Sequence, residues 1–212
     1  MPARVKICCI SSIDEARMAI AHGADAIGLV SAMPSGPGVV DEAVIAEIIS
    51  LVPPPIATFL LTSETDADSI IDQAKRCRPT TLQLVDALPE PELLKLRIAL
   101  PATKLVQVIH VVGERSIDEA VEASKMVDVI LLDSGNPAVR ELGGTGRVHD
   151  WSLSKRIVDA VDVPVFLAGG LTPTNVAEAI AVVRPFGVDI CSGVRTDGRL
   201  DEDKLRAFVA AV

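Results

Sequence analysis

Residues 5–30 read VKICCISSIDEARMAIAHGADAIGLV, and this stretch decides the fold. A β-branched run at 5–10 gives way to Ser12-Ile13-Asp14-Glu15, the pattern of a helix N-terminus with a capping box. Ile13, Ala16, Ala19 and Ile20 then recur at helical spacing. Gly23 ends the helical pattern, and residues 26–30 form a second apolar run too short for a helix. Strand, helix and strand in so few residues make a βαβ unit, whose strands must be parallel.

Working outward, the alternation continues to the end of the chain. Strands are expected at 56–61, 81–85, 105–109, 127–132, 163–168 and 188–191. Helices are expected at 42–51, 66–76, 90–100, 116–124, 152–160, 173–183 and 202–211. Eight β/α units, about 25 residues each, with no break in composition imply one α/β domain over 1–212, a (β/α)8 TIM barrel near the lower end of the usual size. Aromatics are scarce, with no Tyr, one Trp and four Phe in 212 residues. The core is therefore expected to rest on Val, Ile, Leu and Ala, which suits parallel strands covered by helices.

The formal net charge of −9 argues against nonspecific binding to nucleic acid. It leaves room for a phosphate ligand, because backbone amides bind anions locally. Cys8, Cys9, Cys77 and Cys191 have the spacing of neither a zinc site nor a disulfide framework. His22, His110 and His149 are too scattered to suggest a metal. No signal peptide or membrane-length apolar run is evident, so a cytoplasmic protein with no membrane partner is expected.

In a barrel of this kind, chemistry gathers at the C-terminal ends of the strands. Strand alternation puts Lys6 and Cys8 on one face and Val5, Ile7 and Cys9 on the other. The apolar face should meet the helices, so Lys6 and Cys8 should point into the barrel with Cys8 nearer the mouth. A neighbouring ammonium favours a thiolate, which would make Cys8 a base. The plainer alternative is a small buried hydrophobe. Asp133 ends the run Val129-Ile130-Leu131-Leu132 and is followed by a long loop at 135–150, so it is available at the mouth; a turn-capping role is the alternative.

Two small-residue turns follow the last two strands. Gly169-Gly170-Leu171-Thr172-Pro173 runs from strand to helix, with Thr172 as the expected N-cap and Pro173 at the first helical position. Ser192-Gly193 follows the eighth strand. Loops after the seventh and eighth strands commonly bind phosphate in these barrels, so Gly169, Gly170, Ser192 and Gly193 are candidates, with tight turns as the alternative. Gly143-Gly144-Thr145-Gly146-Arg147 has the composition of a lid or of a solvated loop.

Taken in order, these residues resemble the phosphoribosylanthranilate isomerase family of tryptophan biosynthesis over nearly the whole chain. Lys6-Ile7-Cys8 resembles its opening Lys-Ile-Cys-Gly, and Gly23-Ala24-Asp25-Ala26-Ile27-Gly28 its second-strand entry. Leu82-Gln83-Leu84 is similar to its fourth strand, and Leu131-Leu132-Asp133-Ser134 to its sixth. Gly143-Gly144-Thr145-Gly146 with Asp150-Trp151 resembles its lid and the helix that follows. Ala168-Gly169-Gly170-Leu171 with Asn175-Val176, and Val188-Asp189 with Ser192-Gly193-Val194, resemble its phosphate region.

The resemblance implies an Amadori rearrangement of N-(5-phosphoribosyl)anthranilate to an aminoketose. Asp133 would be the general acid at the ring oxygen and Cys8 the general base at C2, with no cofactor and no metal. Gly170, Ser192 and Gly193 would hold the phosphate, and Asp189 would line the aminoaryl end. The chain departs from the family pattern at three places. Cys9 stands where the motif has Gly, Val85-Asp86 where it has His-Gly, and Pro37 where it has an Arg facing the anthranilate carboxylate. Loss of such a charge-assisted contact costs roughly 1.5–3 kcal/mol. Arg147 and Arg195 are the candidate replacements. Two other readings therefore stand beside the isomerase: a divergent isomerase of another phosphorylated aminosugar or aldose, and a non-catalytic barrel that binds a phosphorylated metabolite.

Overall fold

The computed structural model describes residues 2–34, 36–135 and 149–212. Eight parallel strands close into a barrel in chain order: β1 (Arg4–Ile7), β2 (Ala26–Val30), β3 (Ala57–Thr62), β4 (Thr81–Leu84), β5 (Lys104–His110), β6 (Val129–Asp133), β7 (Val165–Leu167) and β8 (Gly187–Ile190). The ring closes where β1 pairs with β8, Lys6 opposite Asp189 and Ile7 opposite Ile190. The helices among the described residues are α1 (Ile13–Ala21), α2 (Glu42–Leu51), α3 (Ala67–Cys77), α4 (Glu90–Ala99), α5 (Arg115–Ser124), α6 (Trp151–Ala160), α7 (Val176–Val183) and α8 (Glu202–Ala211). None of the described helices is long and apolar enough to cross a membrane.

Strand alternation sorts the core into two parts. Val5, Ile7, Ile27, Leu29, Leu60, Leu82 and their equivalents face the helices in one large apolar cluster. Ala26, Val30, Phe59, Leu61, Val106, Val108, Leu131 and Phe166 fill the barrel interior. The expectation of an aliphatic core holds for the outer part. On the barrel axis, however, Phe59 of β3 and Phe166 of β7 meet edge to face with centroids 5.9 Å apart, and Phe186 extends the row at 5.6 Å from Phe166. Two large rings from opposite strands fill a volume that short side chains would leave void.

Several boundaries differ from the sequence expectation for local reasons. β1 stops at Ile7 because Cys9 takes a left-handed backbone, φ +61, which breaks the extended run. α7 begins at Val176 and not at Pro173: the Thr172 N–H donates to Asn175 Oδ1 at 2.8 Å, so Thr172–Asn175 forms its own turn with Asn175 as the N-cap. A hairpin of β9 (Arg195–Thr196) and β10 (Arg199–Leu200) follows β8 and was not expected. Its turn is Asp197-Gly198, both at positive φ, the dipeptide that favours a tight two-residue hairpin.

Candidate active site

Cys8, Asp133, Gly169, Gly170, Asp189 and Ser192 line one cavity at the C-terminal mouth of the barrel. Residues far apart in sequence meet there because β1, β6, β7 and β8 all end at that face. Of the candidate phosphate residues, Gly193 does not line the cavity. It sits in the short 3₁₀ turn Ser192–Val194, against the carbonyl oxygen of Leu171, and so packs the two glycine turns together. The candidate lid at 143–147, including Arg147, lies outside the described residues, as does Ser35.

Lys6 is wholly buried below the mouth. Its Nζ donates to Asp189 Oδ2 at 2.7 Å and lies 5.1 Å from the centroid of the Phe59 ring. Burial alone would lower the Lys6 pKa, but the Asp189 carboxylate outweighs it and holds the ammonium charged, with the Cys8 side chain also within its field. Burial raises the Asp189 pKa, and the Lys6 ammonium opposes the rise; a contact this short between buried partners is an ion pair. Asp189 Oδ1 is buried without a hydrogen-bond partner among the described residues. Asp189 therefore has one oxygen committed to Lys6 and one free at the cavity.

Gly28 on β2 makes room for this arrangement. A Cβ there would stand 2.8 Å from Cys8 Sγ, 3.1 Å from Lys6 Nζ and 3.2 Å from Cys8 Cα. Thiol and ammonium thus share the space above one glycine, which keeps the charge beside the candidate base.

Asp133 ends β6, opposite His110 in register. The Ser134 N–H donates to Asp133 Oδ1 at 2.7 Å. Burial raises the Asp133 pKa above the ordinary carboxylate range, and the Ser134 N–H pulls it the other way. A carboxyl so placed keeps its proton at higher pH and is suited to act as an acid. Gly169, at φ +83, is part of the same construction: a Cβ there would come 2.9 Å from the Ser134 backbone nitrogen and side chain. The glycine after β7 thereby lets the Asp133-Ser134 segment close down on the phosphate-type turn. Asn175 braces that turn from below, its Nδ2 donating to the Gly170 carbonyl at 3.0 Å.

Cys9 departs from its sequence assignment. It does not face the helices; the left-handed backbone swings its side chain into the barrel-side cluster and the cavity wall. Arg195 also departs from its candidate role. Its guanidinium is almost fully buried and binds Glu15 Oε1 at 3.0 Å, with further donation to the carbonyls of Cys8 and Cys9. Burial would raise the Glu15 pKa, but Arg195 and the N–H groups of Leu200 and Ser11 hold it below the usual range. Arg195 is a tie between β1 and the β9–β10 hairpin, and it does not replace the missing arginine.

The sequence reading did not single out Gln83 for its own chemistry. Its Oε1 is buried, without a partner among the described residues, and the residue lines the cavity. An amide at an inward position of an otherwise apolar strand was the signal available. Pro37, at the position of the resembled arginine, also lines the cavity beside Met33 and Val30. Among the described residues, no lysine, arginine or histidine lines it.

Residues 5–211 match the family model for N-(5'phosphoribosyl)anthranilate (PRA) isomerase. The chain belongs to that family. An N-(5'-phosphoribosyl)anthranilate isomerase of Haloferax volcanii is 40% identical over 210 residues, covering 98% of this chain and 92% of the relative. One of Methanocella arvoryzae is 36% identical over 210 residues, 99% of this chain and 97% of the relative. The crystal structure of phosphoribosyl anthranilate isomerase from Thermotoga maritima superposes with a TM-score of 0.86 at 30% identity, covering 99% and 98% of the two chains. A PRA isomerase solved in complex with reduced 1-(o-carboxyphenylamino)-1-deoxyribulose 5-phosphate superposes with a TM-score of 0.83 at 28% identity, covering 99% and 98%.

Proposed function

We propose that this chain catalyses the Amadori rearrangement of N-(5'-phosphoribosyl)anthranilate to the corresponding aminoketose phosphate. The observation that carries this reading is the pair Cys8 and Asp133 on the walls of one cavity, with the Lys6 ammonium beside the thiol and burial raising the Asp133 pKa. Asp133 gives its proton to the furanose ring oxygen, the C1–O bond breaks, and the nitrogen lone pair closes a Schiff base. Cys8 Sγ, beside the Lys6 ammonium above Gly28, takes the proton from C2. The resulting enolamine tautomerises to the ketone. One group donates and one accepts, so the residues at hand suffice and the reaction calls for no cofactor.

The phosphate is assigned to the turns after β7 and β8. Gly169, Gly170 and Ser192 line the cavity, where their backbone N–H groups and the Ser192 hydroxyl would hold the anion, and Gly193 extends the second turn. Asp189 stays with Lys6 and offers its second oxygen to a substrate donor. The test is direct: phosphoribosylanthranilate is added to purified protein and the loss of its fluorescence is followed. Absence of turnover, with failure to rescue a tryptophan auxotroph, overturns the reading.

One observation favours a second reading. Val30, Met33 and Pro37 give that side of the cavity an apolar character, and no cationic side chain among the described residues lines it. A phosphorylated aminosugar whose N-substituent carries no carboxylate would meet no unpaired charge there. A larger kcat/KM for the phosphoribosyl derivative of aniline than for that of anthranilate would establish this second reading over the first.

A further inference from the structure

The Gln83 amide stands among apolar side chains with nothing to bond to. Leu82 and Leu84 on either side of it belong to the outer apolar cluster, so strand alternation turns Gln83 inward. Its register neighbours there are Leu61 of β3 and Val106 of β5, both part of the barrel-side apolar cluster. The residue is only 4% exposed. Oε1 is enclosed without a partner, and the side chain makes no hydrogen bond among the described residues. An enclosed amide without bonds destabilises a fold unless something else supplies them. Gln83 lines the mouth cavity, and Nε2 is its polar end that is not enclosed.

The place of this amide in the ring matters. The strands close in chain order, so β4 stands opposite β8 and β3 opposite β7. The turns assigned to the phosphate follow β7 and β8. Phosphoribosylanthranilate carries its phosphate on C5 of the ribose and its aryl group on the C1 nitrogen, at opposite ends of the sugar. With the phosphate over β7 and β8, the aryl group falls over the arc from β2 to β5. Pro37 stands on that arc, at the position of the resembled arginine. Among the described residues of the arc, Gln83 alone lines the cavity with a polar side chain.

We propose, on the basis of the reaction assigned above, that Gln83 Nε2 donates to the anthranilate carboxylate and so sets the preference of this chain for a carboxylated aryl group. The Lys6 ammonium is already committed to Asp189, so the amide is the donor at hand. A hydrogen bond to an ionised acceptor is stronger than one between neutral groups. A phenyl group without the carboxylate gains none of it, and this difference is what makes the amide selective. The substrate in turn gives a bond to a polar group that the barrel leaves unbonded.

Two ligands and two variants test the assignment. Reduced 1-(o-carboxyphenylamino)-1-deoxyribulose 5-phosphate and its phenylamino counterpart without the carboxylate are titrated by calorimetry into the parent, Gln83→Leu and Gln83→Met. Both variants put an apolar side chain among apolar neighbours, so their urea midpoints are expected at or above that of the parent. Affinity for the carboxylated ligand is expected to fall roughly 10–100-fold in each variant, and affinity for the counterpart by less than about threefold. In each variant kcat/KM for phosphoribosylanthranilate is expected to fall with the first of these. Equal losses for the two ligands overturn the proposal, since Gln83 would then serve the shared sugar phosphate or the packing of the barrel. Undiminished affinity of the variants for the carboxylated ligand overturns it too, as does a parent that binds the counterpart more tightly. In all three cases the parent still binds a sugar phosphate of the expected kind, so only the role of Gln83 falls. A parent that binds neither ligand overturns the assigned reaction and the proposal together.

Discussion

Replacing Asp189 by asparagine tests the electrostatics of the barrel interior, because it keeps the shape of the side chain and removes its charge. Lys6 is fully buried and its side-chain partner is only 7% exposed, at 2.7 Å. Two unit charges at that separation attract by about 6 kcal/mol at an effective dielectric constant near 20. The asparagine dipole and the Phe59 ring, 5.1 Å from Nζ, recover part of this. The net loss of stability at neutral pH is expected to be about 3–5 kcal/mol, the usual consequence of stranding a buried charge. With an m-value of about 2 kcal/mol/M, the urea midpoint falls by roughly 1.5–2.5 M. Trp151, the sole tryptophan, reports the transition, and far-UV circular dichroism tests whether it is two-state.

The pH dependence carries the sharper test. In the parent protein the folded Lys6 pKa lies above the unfolded 10.5, so its contribution is fully present below pH 10.5 and is lost as pH rises through the folded value. In Asp189→Asn, burial acts on Lys6 without the carboxylate, and the folded value falls below 10.5. The unfolded chain then binds more protons than the folded one, and stability rises with pH up to about 10.5. The deficit of the variant should therefore shrink between pH 7 and pH 10. A midpoint shift worth less than about 1 kcal/mol, or a deficit that grows with pH, refutes the ion pair. The double variant Lys6→Met/Asp189→Leu should lie nearer the parent in stability than Asp189→Asn does, since no charge is left unpaired.

Cys8→Ser and Asp133→Asn are each expected to lower kcat by about 10²–10⁴ with unchanged far-UV spectra, and retention of near-parent rates by either would remove that residue from its role. Because burial raises the Asp133 pKa, turnover should fall on the alkaline side as that proton is lost, and kcat of Asp133→Asn should not show this limb. Gly28→Ala forces a methyl to 2.8 Å from Cys8 Sγ and 3.2 Å from Cys8 Cα, and should cost about 1–3 kcal/mol in stability and depress kcat; urea titration and initial rates check both. His149 is held down to about pKa 4 by burial, so its contribution is complete above about pH 6.5 and is lost as pH falls towards 4. That loss amounts to at most about 3 kcal/mol. His149→Gln should flatten this acid-side slope, as measured by urea midpoints at pH 7 and pH 4.5.

The barrel was legible because its signal is periodic. Helix bounds 42–51 and 202–211 match the sequence expectation, and the structure shows Asp41 and Asp201 capping them. The inward phase of Lys6 and Cys8 was legible from alternation alone. What escaped depends on contacts between distant segments. Nothing local marks Arg195 as the partner of Glu15, since the two meet only when the chain's ends are brought together. Cys9 escaped for a different reason: alternation assumes extended backbone, and one residue at φ +61 cancels it. The Asp197-Gly198 turn carries a tight-hairpin dipeptide, but the two strand residues on each side are too few to leave an alternating run in the sequence.

The position of Cys8 follows from how the barrel is closed. β1 and β8 are the first and last strands of the barrel, and their seam is the one that no βα connection spans. Two buried ion pairs reinforce this end of the molecule. Lys6–Asp189 lies inside the barrel, one register step below the mouth, and Glu15–Arg195 lies where α1 meets the hairpin after β8. Cys8 sits between them: its side chain stands over Gly28 beside Lys6, and its carbonyl accepts from Arg195. An isolated buried ion pair adds little net stability, because desolvation offsets the attraction. Its geometry is nevertheless hard to disturb, since moving either partner strands a charge. The seam therefore fixes the candidate base more tightly than apolar packing alone would. Three strands away on β6, Asp133 is held by a backbone N–H and by the room that Gly169 leaves, so the candidate acid and the candidate base are positioned by independent parts of the barrel.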